Sequence, residues 1–279
     1  MKGYGLINEA YVKRMTDKCA SAGVTINLDE PKTIQDKLCW LNIYDINPLK
    51  VVCADKVRVR DYCQDVLGKD ICIPLIGVYE KSVDIEWDSL PDKFVIKCNH
   101  GSGMNLIIKD KSKADFEKVK QVLDRWLSID FTFQNGFESH YHGIDRRILI
   151  EEFIDDGNFS PFDYKFSCFN GKPKLLQIFS GRFTDTFFGN YYDMDFNFLN
   201  ISRNDIRNNK ELVHIRPKSF ELMIEYAEKL SKPFKYVRVD FYEIDGKPYL
   251  GEMTFTPGAM LFSYLNKEQE IEMGNMLKI

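Results

Sequence analysis

The 279-residue sequence predicts an α+β fold in two lobes. Three observations carry that expectation. Two turn signals, Asn170-Gly171 and Asp245-Gly246, each sit between apolar runs of strand length and predict antiparallel hairpins. Phe116, Val119, Leu123, Trp126 and Leu127 recur at helical spacing and predict an amphipathic helix. Neither the strand–helix alternation nor the glycine fingerprint of a dinucleotide-binding fold is present. The chain is long enough for each lobe to have its own core.

Taken in order, residues 5–22 and 32–44 read as helices, the second with Ile34, Leu38 and Leu41 on one side. After Asn47-Pro48 a helix is expected from Asp55 to Leu67, ending at Gly68. ICIPLIGVYE (71–80) is a short apolar strand, and DSLPDK is a turn. FVIKCNHGSGMNLIIK (94–109) reads as a hairpin with two glycines in its turn. Ser112 to Asp115 resembles a capping box and opens a helix over 113–128. RRILIEEFI (146–154) is a strand with an acidic exit. DYKFSCF and KPKLLQIFS form the first strong hairpin, residues 218–231 a further helix, and YVRVDFYEIDGKPYLGEMTF the last strand pair.

Composition narrows the function classes. Hydrophobic residues at 44% and charged residues at 29% suit a globular chain rather than a disordered or membrane one. A net charge of −4 removes any general attraction to nucleic acid, while leaving room for a local basic cleft. No window approaches the roughly 18 apolar residues of a membrane span, and MKGYGLINEAYVKRM lacks the features of a secretory signal. Seven scattered cysteines without a C-x-x-C pair predict reduced thiols in a cytoplasmic protein, not a disulfide framework or zinc site.

The chemistry-bearing candidates start with Lys97, inside an apolar strand three residues before His100-Gly101-Ser102-Gly103. A strand lysine can simply extend to solvent. Beside a glycine turn it gains a second reading, because backbone N–H groups and an ammonium together suit phosphate oxygens. Asp240 and Glu252 lie in apolar strands joined by the Asp245-Gly246 turn, where an unpaired carboxylate is costly. They read either as ion-pair partners of Arg238 or as oxygen ligands for Mg2+ beside nucleotide phosphates. Lys56 reads as an exposed helix charge or a phosphate contact, and Glu151-Glu152-Phe153-Ile154 as a hinge against adenine and ribose. His140 and His142 fall on one strand face without a third metal ligand nearby. FFGNYYDMDFNFLN (187–200) reads as strand packing or as an acceptor surface mixing rings with Asp193 and Asp195. Arg182 and Arg203 flank it as candidates for a substrate carboxylate.

ADKVRVRDYC, IPLIGVY, LPDKFVIKCNHGSG, ILIEEFI, DYKFSCFNGKP and GEMTFTPG together resemble the TupA-like group of the ATP-grasp superfamily, linked to teichuronopeptide and other bacterial surface polysaccharides. The pieces occur in the family's order over roughly residues 32–264. The resemblance implies ATP held between two α+β lobes, at 51–154 and 155–279, after a short helical region at 1–50. It places Lys56 and Lys97 on the phosphates, with the 101–104 loop closing over them. Glu151, Glu152, Phe153 and Ile154 would line adenine and ribose, and Asp240 and Glu252 would hold Mg2+. Lys165 and Arg238 would lie near the transferred phosphate, and Thr256-Pro257-Gly258 on the substrate side. Thr254 stands where many superfamily members carry a metal-binding asparagine. The implied activity is amide formation between an amino donor and a sugar-acid or glycan carboxylate through an acylphosphate, in company with other polysaccharide-assembly enzymes. A sugar kinase, a glycosyltransferase and a nucleotide-binding assembly protein are the competing readings.

Overall fold

The computed structural model describes residues 7–154, 162–181 and 187–279. Two antiparallel sheets organise it. The first has the order β1-β4-β2-β3, from β1 (Leu75–Tyr79), β2 (Phe94–Cys98), β3 (Asn105–Ile108) and β4 (Ile148–Glu152). The second has six strands in the order β10-β9-β5-β6-β7-β8. These are β5 (Asp163–Phe169), β6 (Lys172–Ser180), β7 (Phe188–Tyr192), β8 (Phe198–Leu199), β9 (Tyr236–Ile244) and β10 (Lys247–Thr254). All three expected hairpins form, and Asn170 and Asp245 both take the left-handed backbone their turns require.

The helices are α1 (Glu9–Ser21), α2 (Ile34–Tyr44), α3 (Leu49–Ala54), α4 (Val59–Leu67), α5 (Phe116–Ser128), α6 (Phe220–Ser231) and α7 (Lys267–Met276). The expected Asp55–Leu67 helix is corrected at its start. The Asp55 carboxylate accepts from Val57 N at 2.8 Å and from Asn99 Nδ2 at 2.9 Å, which breaks the chain into α3 and α4 around Lys56. Helix α5 likewise begins three residues later than expected, because Asp115 itself caps it by accepting from Lys118 N. The strand expected around His140 is a 3-10 turn, Ser139–Tyr141. His140 packs between Tyr141 and Phe255, fully inside. Burial, with a smaller contribution from Lys50, pushes its imidazole down to about 3.

Strand alternation gives the second sheet two different faces. Tyr164, Phe166, Val237, Val239 and Phe241 point to α6, where Phe220 and Met223 meet them in the main core. That core runs on through Phe94, Ile96, Ile148 and Ile150 of the first sheet, so one apolar body supports both lobes. A second cluster joins α1, α2 and α7 to the lower end of the opposite face, through Leu38, Phe169, Tyr236 and Met273. The upper end of that face is polar. Among the described residues no helix is long and apolar enough to cross a membrane.

Candidate functional site

Three neighbouring strands bring three charges into one row. Lys165 on β5 lies directly opposite Asp240 on β9, which lies opposite Glu252 on β10. Leu250 and Glu252 are two residues apart and would share a face in a regular strand. A bulge at Gly251 separates them: Leu250 opposes Phe241 on the core face, and Glu252 opposes Asp240 on the polar face. A Cβ on Gly251 would lie 2.9 Å from the Tyr242 ring, so the bulge has room for little but glycine.

The row is tightly bonded. Asp240 accepts from Lys165 Nζ at 2.6 Å and from Arg238 Nε and Nη2 at 2.7 and 2.6 Å. Arg238 Nη2 also reaches Glu252 Oε1 at 3.0 Å and Thr254 Oγ1 at 3.1 Å. The Thr254 hydroxyl donates to Glu252 Oε1 at 2.9 Å. Burial alone would push the Glu252 carboxyl up, but Lys56, Arg238 and Lys165 outweigh it and hold the group well below the usual carboxylate range. Glu252 is therefore ionised at neutral pH.

The first sheet faces this row with Lys97. Its ammonium bonds Glu151 Oε2 at 2.5 Å, across two central strands, and Arg60 reaches the other Glu151 oxygen at 3.3 Å. Lys56, at the break between α3 and α4, donates to the Gly101 carbonyl at 2.7 Å and so ties the glycine turn to the helices. Burial, partly offset by Glu252, pulls the Lys56 ammonium down. A cavity of about 370 Å3 lies between the sheets, bordered by Lys56, Lys97, Lys165, Arg238, Asp240 and Glu252. Ser102 and Gly103 of the hairpin turn also line it.

Other predicted positions lie elsewhere. His100 is turned inward beneath α5, with Nε2 3.2 Å from the Trp126 carbonyl, and Gly101 packs against Phe131. Glu152 is exposed and Phe153 lies under the Lys93 ammonium; neither they nor Ile154 border this cavity. Arg203 does border it, buried, bonded to Asp205 and stacked on Phe262. Arg182 lies outside the described residues. Asp193 caps a tight turn, accepting from the backbone N of Asp195 and Asn197, and Tyr192 stacks on Phe196 beside it.

Sequence reasoning passed over Asp163 and Tyr242, which the two-residue period places on the same face as Lys165 and Asp240. It also passed over Glu138, for which no local signal exists. Glu138 is 3% exposed and accepts from Thr256 Oγ1 at 2.5 Å. Burial raises its carboxyl to about 7, against the Thr256 hydrogen bond and with help from the nearby Glu252 charge. The folded state thus holds a proton on Glu138 that the unfolded state, at about 4.5, has released. Stability from this group is full below the unfolded value and is lost as pH rises through the folded one. Glu138→Gln is expected to gain on the wild type by up to about 3 kcal/mol between pH 5 and pH 8, in urea melts. Buried histidines common to both chains cancel in the comparison, and parallel pH profiles would refute the assignment.

A family model described as TupA-like ATPgrasp matches residues 36–278. Similar solved structures include D-alanine–D-alanine ligase from Bacillus anthracis complexed with ATP, 18% identical over 73% of this chain and 55% of that chain, with a TM-score of 0.45. D-Alanine–D-alanine ligase from Helicobacter pylori is 18% identical over 91% of this chain and 72% of that one, TM-score 0.44. L-Amino acid ligase from Bacillus licheniformis is 13% identical over 74% and 41%, TM-score 0.43. This chain spans little more than half the length of the B. anthracis ligase. No protein of curated function matches it in sequence. With a match over most of its length, the chain belongs to the TupA-like ATP-grasp family, and its paired sheets are the ATP-grasp fold.

Proposed function

We propose that this protein is an ATP- and Mg2+-dependent ligase that joins an amine to a carboxylate through an acylphosphate. The observation that carries the reading is one cavity in which Lys56, Lys97, Lys165 and Arg238 meet the carboxylates of Asp240 and Glu252. Such a set of cations suits a polyphosphate, and family membership makes that polyphosphate ATP. In this reading Lys56 and Lys97 take phosphate oxygens, the Gly101–Gly103 backbone closes over them, and adenine and ribose extend beyond this cavity toward the Glu151–Ile154 segment.

The donor set fits Mg2+. Asp240 and Glu252 offer hard oxygens from directly opposed residues, and Glu252 is held ionised. Among the described residues no third His, Cys, Asp or Glu joins them as a cluster. That suits an ion bound by one or two carboxylates and completed by phosphates and water. Thr254, committed to Glu252 and Arg238, orients the carboxylate in this reading. Mg2+, when bound, supplies charge neutralisation at the phosphates.

The chain's own residues account for the remaining chemistry. A carboxylate oxygen of the acceptor attacks the terminal phosphorus of ATP and the bond to ADP breaks. Lys97, Lys165 and Arg238 offset charge on the moving phosphoryl group. The amine nitrogen then attacks the acyl carbon, inorganic phosphate leaves, and the amine loses a proton. No protein nucleophile is needed. The acceptor class we favour is a uronic acid of a bacterial surface polysaccharide or its precursor, modified in the cytoplasm where ATP is available; the TupA-like group's link to teichuronopeptide is the ground for it.

The test is product analysis with ATP, Mg2+, uronic-acid glycans and mixed amines. ADP and free phosphate are expected only when both acceptor and amine are present, with an amide in the mass spectrum. Phosphate retained on the sugar would make the enzyme a kinase instead. Lys97→Ala is expected to lower turnover at least about hundredfold, since it removes a charge aimed at the phosphates. Unchanged kinetics in that variant would remove Lys97 from the site.

A further inference from the structure

A second cavity, of about 270 Å3, adjoins the first and shares Ser102, Arg238, Glu252 and Gly258 with it. Its own walls include Asn135, Glu138, Tyr141, Thr254, Thr256 and Leu261. We propose that this cavity seats the amino donor, bound as a primary ammonium by the Glu138 carboxylate. The proposal rests on the ligase reading and adds to it the place and charge of the second substrate.

Three features favour a cation there. Among the described residues the only hydrogen-bond donor to the Glu138 side chain is Thr256, on Oε1. The residue is 3% exposed and borders the cavity, and among the described residues no donor meets its second oxygen. A buried acid in that position is costly until a donor or cation meets it. An anionic group would meet Glu138 and Glu252 together, while Arg238, the wall's cation, is already bonded to Asp240 and Glu252. A primary ammonium brings three N–H donors and a positive charge that favours the ionised carboxyl, displacing the proton that Glu138 otherwise holds below about pH 7.

The backbone on both sides is also unusual. Asn135 on one wall and Ala259 on the other have positive φ, as do Phe137 and Met260 in the same two turns. Such residues are costly and persist where surrounding structure holds them, commonly at ligand sites. The two turns are packed closely, since a Cβ on Gly136 would collide with the Ala259 carbonyl. Glu138 is thus held on a rigid rim, and the shared wall of Arg238 and Glu252 puts an amine next to the phosphate-bearing cavity.

The experiment is saturation-transfer NMR on the full chain with ADP and Mg2+ at pH 8, where Glu138 is ionised in the wild type. The probes are ethanolamine, glycine and L-lysine, with fully N-acetylated forms as controls at matched ionic strength. Free amines are expected to bind and acetylated ones not. Glu138→Gln should weaken amine binding by about tenfold or more, the effect of losing a charged hydrogen-bond partner. Leu261→Trp, which fills the cavity and leaves Glu138 itself unsubstituted, should abolish it. Equal binding of acetylated probes, no binding of any amine, or full amine binding in Glu138→Gln would each overturn the proposal. Trapping with hydroxylamine separates it from the ligase reading. If amines bind through Glu138 but D-glucuronate and ATP yield no hydroxamate, the cavity assignment stands and the ligase reading with that acid fails. If hydroxamate forms and the amine KM is unmoved in Glu138→Gln, the ligase reading stands and the cavity assignment falls.

Discussion

Asp240→Ala is expected to destabilise the protein by about 3–5 kcal/mol and to abolish ATP turnover. The size follows from what the substitution leaves behind. Lys165 and Arg238 are both buried, and Asp240 accepts hydrogen bonds from both. Removing it takes the 2.6 Å partner from Lys165 and two bonds from Arg238, both held away from water, which is more costly than losing the pair as a whole. Asp163, 3.6 Å from Lys165, and Glu252, 3.0 Å from Arg238, recover only part of that loss. Denaturant melts and steady-state ADP release measure the two effects separately. Adding Lys165→Met to Asp240→Ala should restore some stability, since one stranded charge disappears, and no turnover. Recovery of turnover in the double variant would show that Asp240 acts only as a structural counter-ion.

Gly251→Val is the second large effect, expected to lower turnover at least about hundredfold and stability by about 1–3 kcal/mol. A side chain here meets the Tyr242 ring at 2.9 Å and the Asp240 carbonyl at 3.4 Å. The relief open to the strand is to flatten the bulge, which pairs residue 251 with Asp240 and turns Glu252 toward the core. Deleting Gly251 should be much milder, because Glu252 then follows Leu250 directly and still faces Asp240. Comparable losses in the two variants would refute the register account. Circular dichroism melts and ATP-dependent turnover of both chains provide the comparison.

Most of the cavity-facing strands were legible because the signals are local. The Asn170-Gly171 and Asp245-Gly246 turns fix hairpins through the backbone angles they allow. Alternation then makes Lys165, Asp240 and Glu252 stand out as charges in apolar strands. The chain breaks that place Lys56 were not legible. Asp55 could have continued a helix; it ends one because Asn99, on the far side of the glycine hairpin's first strand, bonds its carboxylate. His100 shows the opposite limit. Its place in a glycine turn suggested phosphate, but the turn rotates the ring beneath Trp126 and leaves Ser102 and Gly103 at the cavity.

The sequence by itself determined the α+β class, the hairpins, the family and the strand charges, because turn chemistry and a two-residue period act over a few positions. Tertiary structure decided which charges meet. Glu151 lies between Lys97 and Arg60, the Gly251 bulge selects the face of Glu252, and Glu138 bonds Thr256 across 118 positions. A carboxylate's ionisation depends on what surrounds it in space. For Glu138 those neighbours come from distant strands and turns, so its raised affinity for a proton has no counterpart in the local pattern of residues.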